Sequence, residues 1–125
     1  MILGLGVDLF EVPRLEEELR KQGSDFGREL FTPAEIAYCE GQRYPGQHYA
    51  ARFAAKEAVF KALGMDGRDG SSWREVEVRA GAGGERRVVL HGRVEELARG
   101  RGVSRVLVSL SHTRTLATAC VVLES

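Results

Sequence analysis

The sequence predicts an α+β domain: a mostly antiparallel sheet with helices packed on one side. Three observations predict it. Two pairs of strand-like segments, 76–79 with 87–91 and 103–111 with 116–123, are each joined by a short turn, as antiparallel hairpins are. One further strand-length apolar run opens the chain. The segments of helical spacing lie together between that run and the first hairpin, with one more between the hairpins, so strands and helices are segregated in the α+β manner.

Each element has a local reason. Met1 to Leu9 is apolar, with glycines at Gly4 and Gly6, and its length suits a buried strand ending at Asp8. Val12, Leu15 and Leu19 fall at helical spacing, and Pro13 suits the first turn of that helix. Gly23 and Ser24 break the pattern. Thr32-Pro33-Ala34-Glu35 is a capping box with proline at the first helical position, and this helix is expected to end near Gly41. A loop around Pro45 leads to a long helix from about His48 to Leu63, stopped by Gly64. Asp66 to Ser72 is glycine-rich and is expected to be a flexible loop. Val76 and Val78 alternate with Glu75, Glu77 and Arg79, which puts one face of that strand in water. Gly81 to Gly84 turns the chain into the return strand, and Arg93 to Arg99 reads as a short helix. In the last hairpin Val106, Val108 and Leu110 alternate, and His112-Thr113-Arg114-Thr115 makes the turn.

A length of 125 residues corresponds to a single domain, 1–125. A chain of this size buries roughly two thirds of its unfolded surface, enough for a core without staples. Lys and Arg number 18 and Asp and Glu 18, so the net charge is zero, which weighs against a nucleic-acid partner. Cys39 and Cys120, the only cysteines, read as reduced thiols outside any zinc motif. Asp8 interrupts the N-terminal apolar run, which has no cationic leader. No apolar stretch approaches the roughly 20 residues that span a membrane. The expected location is the cytoplasm, with no membrane association.

Four groups of residues offer chemistry. Asp8, at the end of an apolar strand, is either a ligand for a hard cation or a cap for the following helix. Glu57 and Lys61 share a face of the long helix, as an ordinary i,i+4 ion pair or as part of a site. Phe53, Ala54, Ala58, Phe60 and Leu63 leave that helix little room for idle charge. Ser109, Ser111, His112 and Thr113 form a row of hydroxyl and imidazole donors. It lacks the third orienting group of a nucleophilic serine and suits a phosphate better. The cations Arg14, Arg20, Lys21, Arg28, Arg43, Arg52, Lys56 and Lys61 serve either a solvated surface or a phosphate or acidic partner.

Taken together these segments resemble the holo-acyl-carrier-protein synthases, the small bacterial 4′-phosphopantetheinyl transferases. The resemblance rests on three blocks in the family's order. They are Gly4-Leu5-Gly6-Val7-Asp8-Leu9 with Arg14, then Arg52 to Ala58 with Lys61-Ala62-Leu63-Gly64, then Val108 to Thr113 with Ala117 and Ala119. Phe31 to Ile36 and Trp73 to Val78 are weaker matches. The resemblance implies transfer of 4′-phosphopantetheine from coenzyme A to a serine of apo-acyl carrier protein. Adenosine 3′,5′-bisphosphate would leave, with Mg²⁺ held by Asp8 and Glu57. It implies that Lys61 reaches the pyrophosphate and that Arg52, Lys56, His112 and Thr113 line the coenzyme pocket. Glu57, directly or through water, is the expected base for the carrier serine, with His112 as the alternative. It also implies a homotrimer with sites between subunits and a place in fatty acid biosynthesis.

Two departures from the family pattern stand out. Glu16, Glu17 and Glu18 dilute the cations of the first helix, so carrier docking is expected to rely on Arg14, Lys21 and Arg28. Gly64-Met65-Asp66-Gly67 lacks the threonine-glycine pair usual after the long helix. The competing reading is a non-catalytic module for coenzyme A or a nucleotide, which would have no need of both Asp8 and Glu57.

Overall fold

The computed structural model describes residues 1–65 and 71–125. Most of the expected loop at 66–72, and half of the Gly64–Gly67 departure, lie outside the described residues. Along the chain run β1 (Ile2–Glu11), α1 (Val12–Gln22), α2 (Ser24–Leu30), α3 (Pro33–Glu40), α4 (Pro45–Ala62), a 3-10 turn (Trp73–Glu75), β2 (Val76–Ala80), β3 (Arg86–Leu90), α5 (Gly92–Gly100), β4 (Arg105–His112) and β5 (Leu116–Glu124). β1, β5 and β4 form a three-stranded antiparallel sheet in that order, and β2 pairs with β3 in a separate antiparallel hairpin. The α+β expectation therefore holds, with the strands divided between two sheets.

The structure moves the start of one element and adds another. α4 begins at Pro45, three residues before the expected start, because proline's fixed φ and missing N–H suit the first helical position. It is followed by Gly64 at φ +68°, a conformation that favours glycine. α2 was not foreseen: Gly27 lies inside it, and its short apolar pair, Phe26 and Leu30, is a weak signal. The capping box on α3 forms as expected, with Thr32 Oγ1 accepting from the Glu35 N–H and Glu35 Oε1 accepting from the Thr32 N–H at 2.9 Å.

β1 is not the buried strand that its composition suggests. Gly4, Gly6, Asp8 and Phe10 face α4, while Leu3, Leu5, Val7 and Leu9 stand exposed on the other side. Only one face of this sheet is covered. The cover is close: a Cβ on Gly4 would run into the Ala62 carbonyl oxygen, and one on Gly6 into that of Ala58. Alanines at 54, 55 and 58 of α4 keep the approach tight, and Ala119, Val121 and Leu123 of β5 complete the core beneath them. A second cluster under the first half of α4 gathers Val12, Leu15, Leu30, Phe31 and Cys39. Burial pushes the Cys39 thiol up to about 12, which makes it an inert packing group.

Candidate functional site

Two charged constellations flank α4. The first lies on the β1 side. Period-two alternation turns Asp8 toward α4, and Lys61 Nζ donates to Asp8 Oδ1 at 2.9 Å and to the Val7 carbonyl at 3.2 Å. Asp8 is largely covered, whereas the Lys61 side chain is 56% exposed. Glu57 stands one helical turn before Lys61 on the same face, partly buried. Asp8, Glu57 and Lys61 thus share one flank. The described residues hold no cluster of three or more His, Cys, Asp or Glu to cage a metal. Two hard carboxylates from separate elements instead fit an ion such as Mg²⁺. That ion takes one or two protein carboxylates and completes its shell with water and phosphate oxygens.

The second constellation lies on the β4 side, around a pocket of about 250 Å³ lined by His48, Arg52, Gly84, Arg86 and His112 among others. Arg52 is only 1% exposed, and its Nε and one terminal nitrogen have no hydrogen-bond partner. Its guanidinium stacks on the Tyr38 ring at 4.1 Å. Arg86 stacks on the same ring at 5.4 Å and donates to the Tyr38 hydroxyl at 2.9 Å. The His48 and His112 rings meet edge to face at 5.0 Å. None of the described residues lining the pocket is acidic. Burial, and then the neighbouring His112, Arg52 and Arg86, lower the pKa of His48 below the ordinary histidine value. A buried guanidinium with unmade bonds, in a pocket of like charge, is an arrangement for an anion.

Other expected site residues have different surroundings. Lys56 was expected beside the coenzyme, but it is fully buried. Its ammonium donates to Glu35 Oε1 at 2.7 Å, the Trp73 carbonyl at 3.2 Å and the Val76 carbonyl at 2.5 Å. These are all three of its donors. Burial pulls its pKa below the usual lysine value, against the opposing pull of Glu35. Thr113 Oγ1 accepts from the Thr115 and Leu116 N–H groups and so ties the β4–β5 turn. Arg14 lies over the Phe10 ring at 5.5 Å. Lys21 and Arg28 are exposed and paired with Glu17 and Asp25 of their own helices.

Sequence reasoning missed His48, Arg86 and Tyr38. His48 had a signal, four residues before Arg52 and so on the same helix face. Arg86 and Tyr38 come from distant segments and gave none. Glu77, expected on a wet face, is 4% exposed and accepts from Thr32, Arg79 and His91. Burial pushes its carboxyl up, but those bonds outweigh it and hold the pKa below the usual carboxylate value.

Fold and site together define a small α+β domain with carboxylates and cations set for a phosphate-bearing ligand. The chain belongs to the 4′-phosphopantetheinyl transferase superfamily, whose model matches residues 4–119. It is 44% identical over 124 residues to the holo-[acyl-carrier-protein] synthase of Koribacter versatilis, covering 99% of each chain. The crystal structure of the Neisseria meningitidis holo-[acyl-carrier-protein] synthase superposes with a TM-score of 0.90 at 31% identity and covers 100% of both chains. The Bacillus anthracis synthase in complex with CoA (3′,5′-ADP) gives a TM-score of 0.81 at 32% identity, covering 100% of this chain and 98% of that one.

Proposed function

We propose that this protein transfers 4′-phosphopantetheine from coenzyme A to a serine of apo-acyl carrier protein, releasing adenosine 3′,5′-bisphosphate. The observation that carries this reading is the pair of flanks on α4: two carboxylates with a half-exposed ammonium on one side, a cationic pocket with no acidic residue among its described lining on the other. A binding module would need only the second. In this reading Asp8 and Glu57 hold Mg²⁺, which when bound supplies positive charge to the pyrophosphate as its anhydride bond breaks. Lys61, half-exposed and already at Asp8, meets the departing phosphate oxygens with its remaining donor. Glu57 also accepts the proton of the carrier serine, which brings its hydroxyl to the phosphorus as a nucleophile. Arg52 and His112 hold a coenzyme phosphate. The proposed setting is fatty acid biosynthesis in the cytoplasm.

The two flanks also support a homotrimer. Asp8 lies on one edge strand of the sheet and His112 on the other, about 10 Å apart across the strands, and α4 runs between them. In this reading a neighbour's pocket completes each protomer's metal flank. The rows Leu5–Val122–Leu107 and Val7–Cys120–Ser109 give the sheet an uncovered, largely apolar face for such neighbours. An active monomer in sedimentation would rule out the shared site.

The function is tested by mixing protein, coenzyme A, Mg²⁺ and apo carrier and reading the carrier's mass. A gain equal to one phosphopantetheine is expected. Coenzyme A binding without that gain would leave only a binding module. Glu57→Gln is expected to slow transfer by about 10²–10⁴-fold at saturating Mg²⁺. Near-normal turnover there would remove Glu57 as the base.

A further inference from the structure

His48 belongs to none of the sequence blocks that carry the family resemblance, yet it closes the cationic pocket. Every element packed against it brings positive or titratable groups. α4 supplies Arg52, β3 supplies Arg86, β4 supplies His112 and α3 supplies Tyr38, whose ring lies 5.9 Å from the His48 ring. Just before α4, the Tyr44 ring is stacked by Arg43 at 5.3 Å and by Arg114 of the β4–β5 turn at 5.2 Å. Two guanidiniums in this pocket are permanently charged, and two imidazoles are not.

We infer that His48 is a specificity-determining residue that makes the pocket proton-linked: it binds a terminal phosphate monoester by taking up a proton, and so prefers a dianion to a singly charged group. The inference rests on the coenzyme reading of the pocket. Without an anion in the pocket, partial burial and then the surrounding cations favour neutral His48, in line with its lowered pKa. A dianionic phosphate reverses the field, so the imidazolium becomes the favoured form and His48 changes from a neutral ring to a charged donor. By linkage, affinity then rises as the pH falls through the bound-state pKa and levels off below the free-state one. The phosphate's own second pKa near 6 limits the useful window from below. A diester or a carboxylate carries one charge and stabilises the imidazolium less.

The experiment is calorimetric titration of coenzyme A into the protein between pH 6.5 and 8, in two buffers of different ionisation enthalpy. Proton uptake is expected, with affinity about three- to tenfold higher at pH 6.5 than at pH 8. Uptake is expected to shrink with 3′-dephospho-coenzyme A, which lacks the monoester. His48→Phe, which keeps the ring contact with His112, is expected to lose the greater part of the uptake and flatten the profile. His48→Lys is expected to bind coenzyme A with a flat profile, because its charge is fixed in this range. Equal uptake by His48→Phe and the unsubstituted protein, or by coenzyme A and its dephospho form, would overturn the inference. If coenzyme A binds and is turned over with no His48-dependent uptake, this inference fails alone. If coenzyme A does not bind, the coenzyme reading fails with it.

Discussion

Lys56 and Lys61 leave the same helix five residues apart and make ion pairs of nearly the same length, 2.7 Å to Glu35 and 2.9 Å to Asp8. Everything else about them differs. The Lys56–Glu35 pair has no exposed side-chain surface, and Glu35 also caps Thr32 and accepts from the Val78 N–H. It joins α3, α4 and β2 through a network with every charge answered. The Lys61 side chain is more than half exposed, and its visible partners are one carboxylate and one carbonyl. Desolvation separates the two: a dry pair cannot exchange partners cheaply, while a wet one can. The first is fitted to hold the fold and the second to meet a ligand.

The contrast can be broken by single substitutions. Lys56→Ala strands the Glu35 carboxylate in the core and is expected to cost about 3–5 kcal/mol of stability in urea unfolding. A loss below about 1 kcal/mol would show that water reaches the pair. Lys61→Ala is expected to change stability by no more than about 1 kcal/mol. It should slow transfer by about 10²–10³-fold in steady-state assays, the scale for removing one preorganised donor. Unfolding by Lys61→Ala would erase the distinction. The smallest effect is expected at Arg14, where the charge lies on a ring at the surface. Arg14→Ala should raise the KM for carrier protein a few-fold at low salt, less as ionic strength rises. A salt-independent KM would place carrier docking elsewhere.

The parts of this molecule that were legible in its sequence are those decided locally. The capping box at Thr32, the prolines that open helices and the glycine at 64 each act within a turn of themselves. Asp8, Glu57 and Lys61 were legible as candidates because each is a charge in an apolar setting, and the structure brings them to one flank. Burial was less legible because it depends on partners far along the chain. Lys56 looked like a ligand residue until Glu35, 21 residues away, turned out to be its partner. Glu77 looked wet on alternation alone, but Thr32, the residue that caps α3, donates to it. β1 looked buried on composition, because apolar residues on an open sheet face read the same as those in a core. His48 looked like one more helix residue until β3 and β4 brought Arg86 and His112 beside it.

Gly4 and Gly6 set how far α4 stands from β1, and Lys61 reaches Asp8 across that gap. A side chain at Gly6 must push the helix outward before it disturbs anything else. The reach of Lys61 and the seating of α4 on the core would then be disturbed together. The two glycines therefore act as a gauge that sets one spacing for both the packing of the helix and the reach of its lysine.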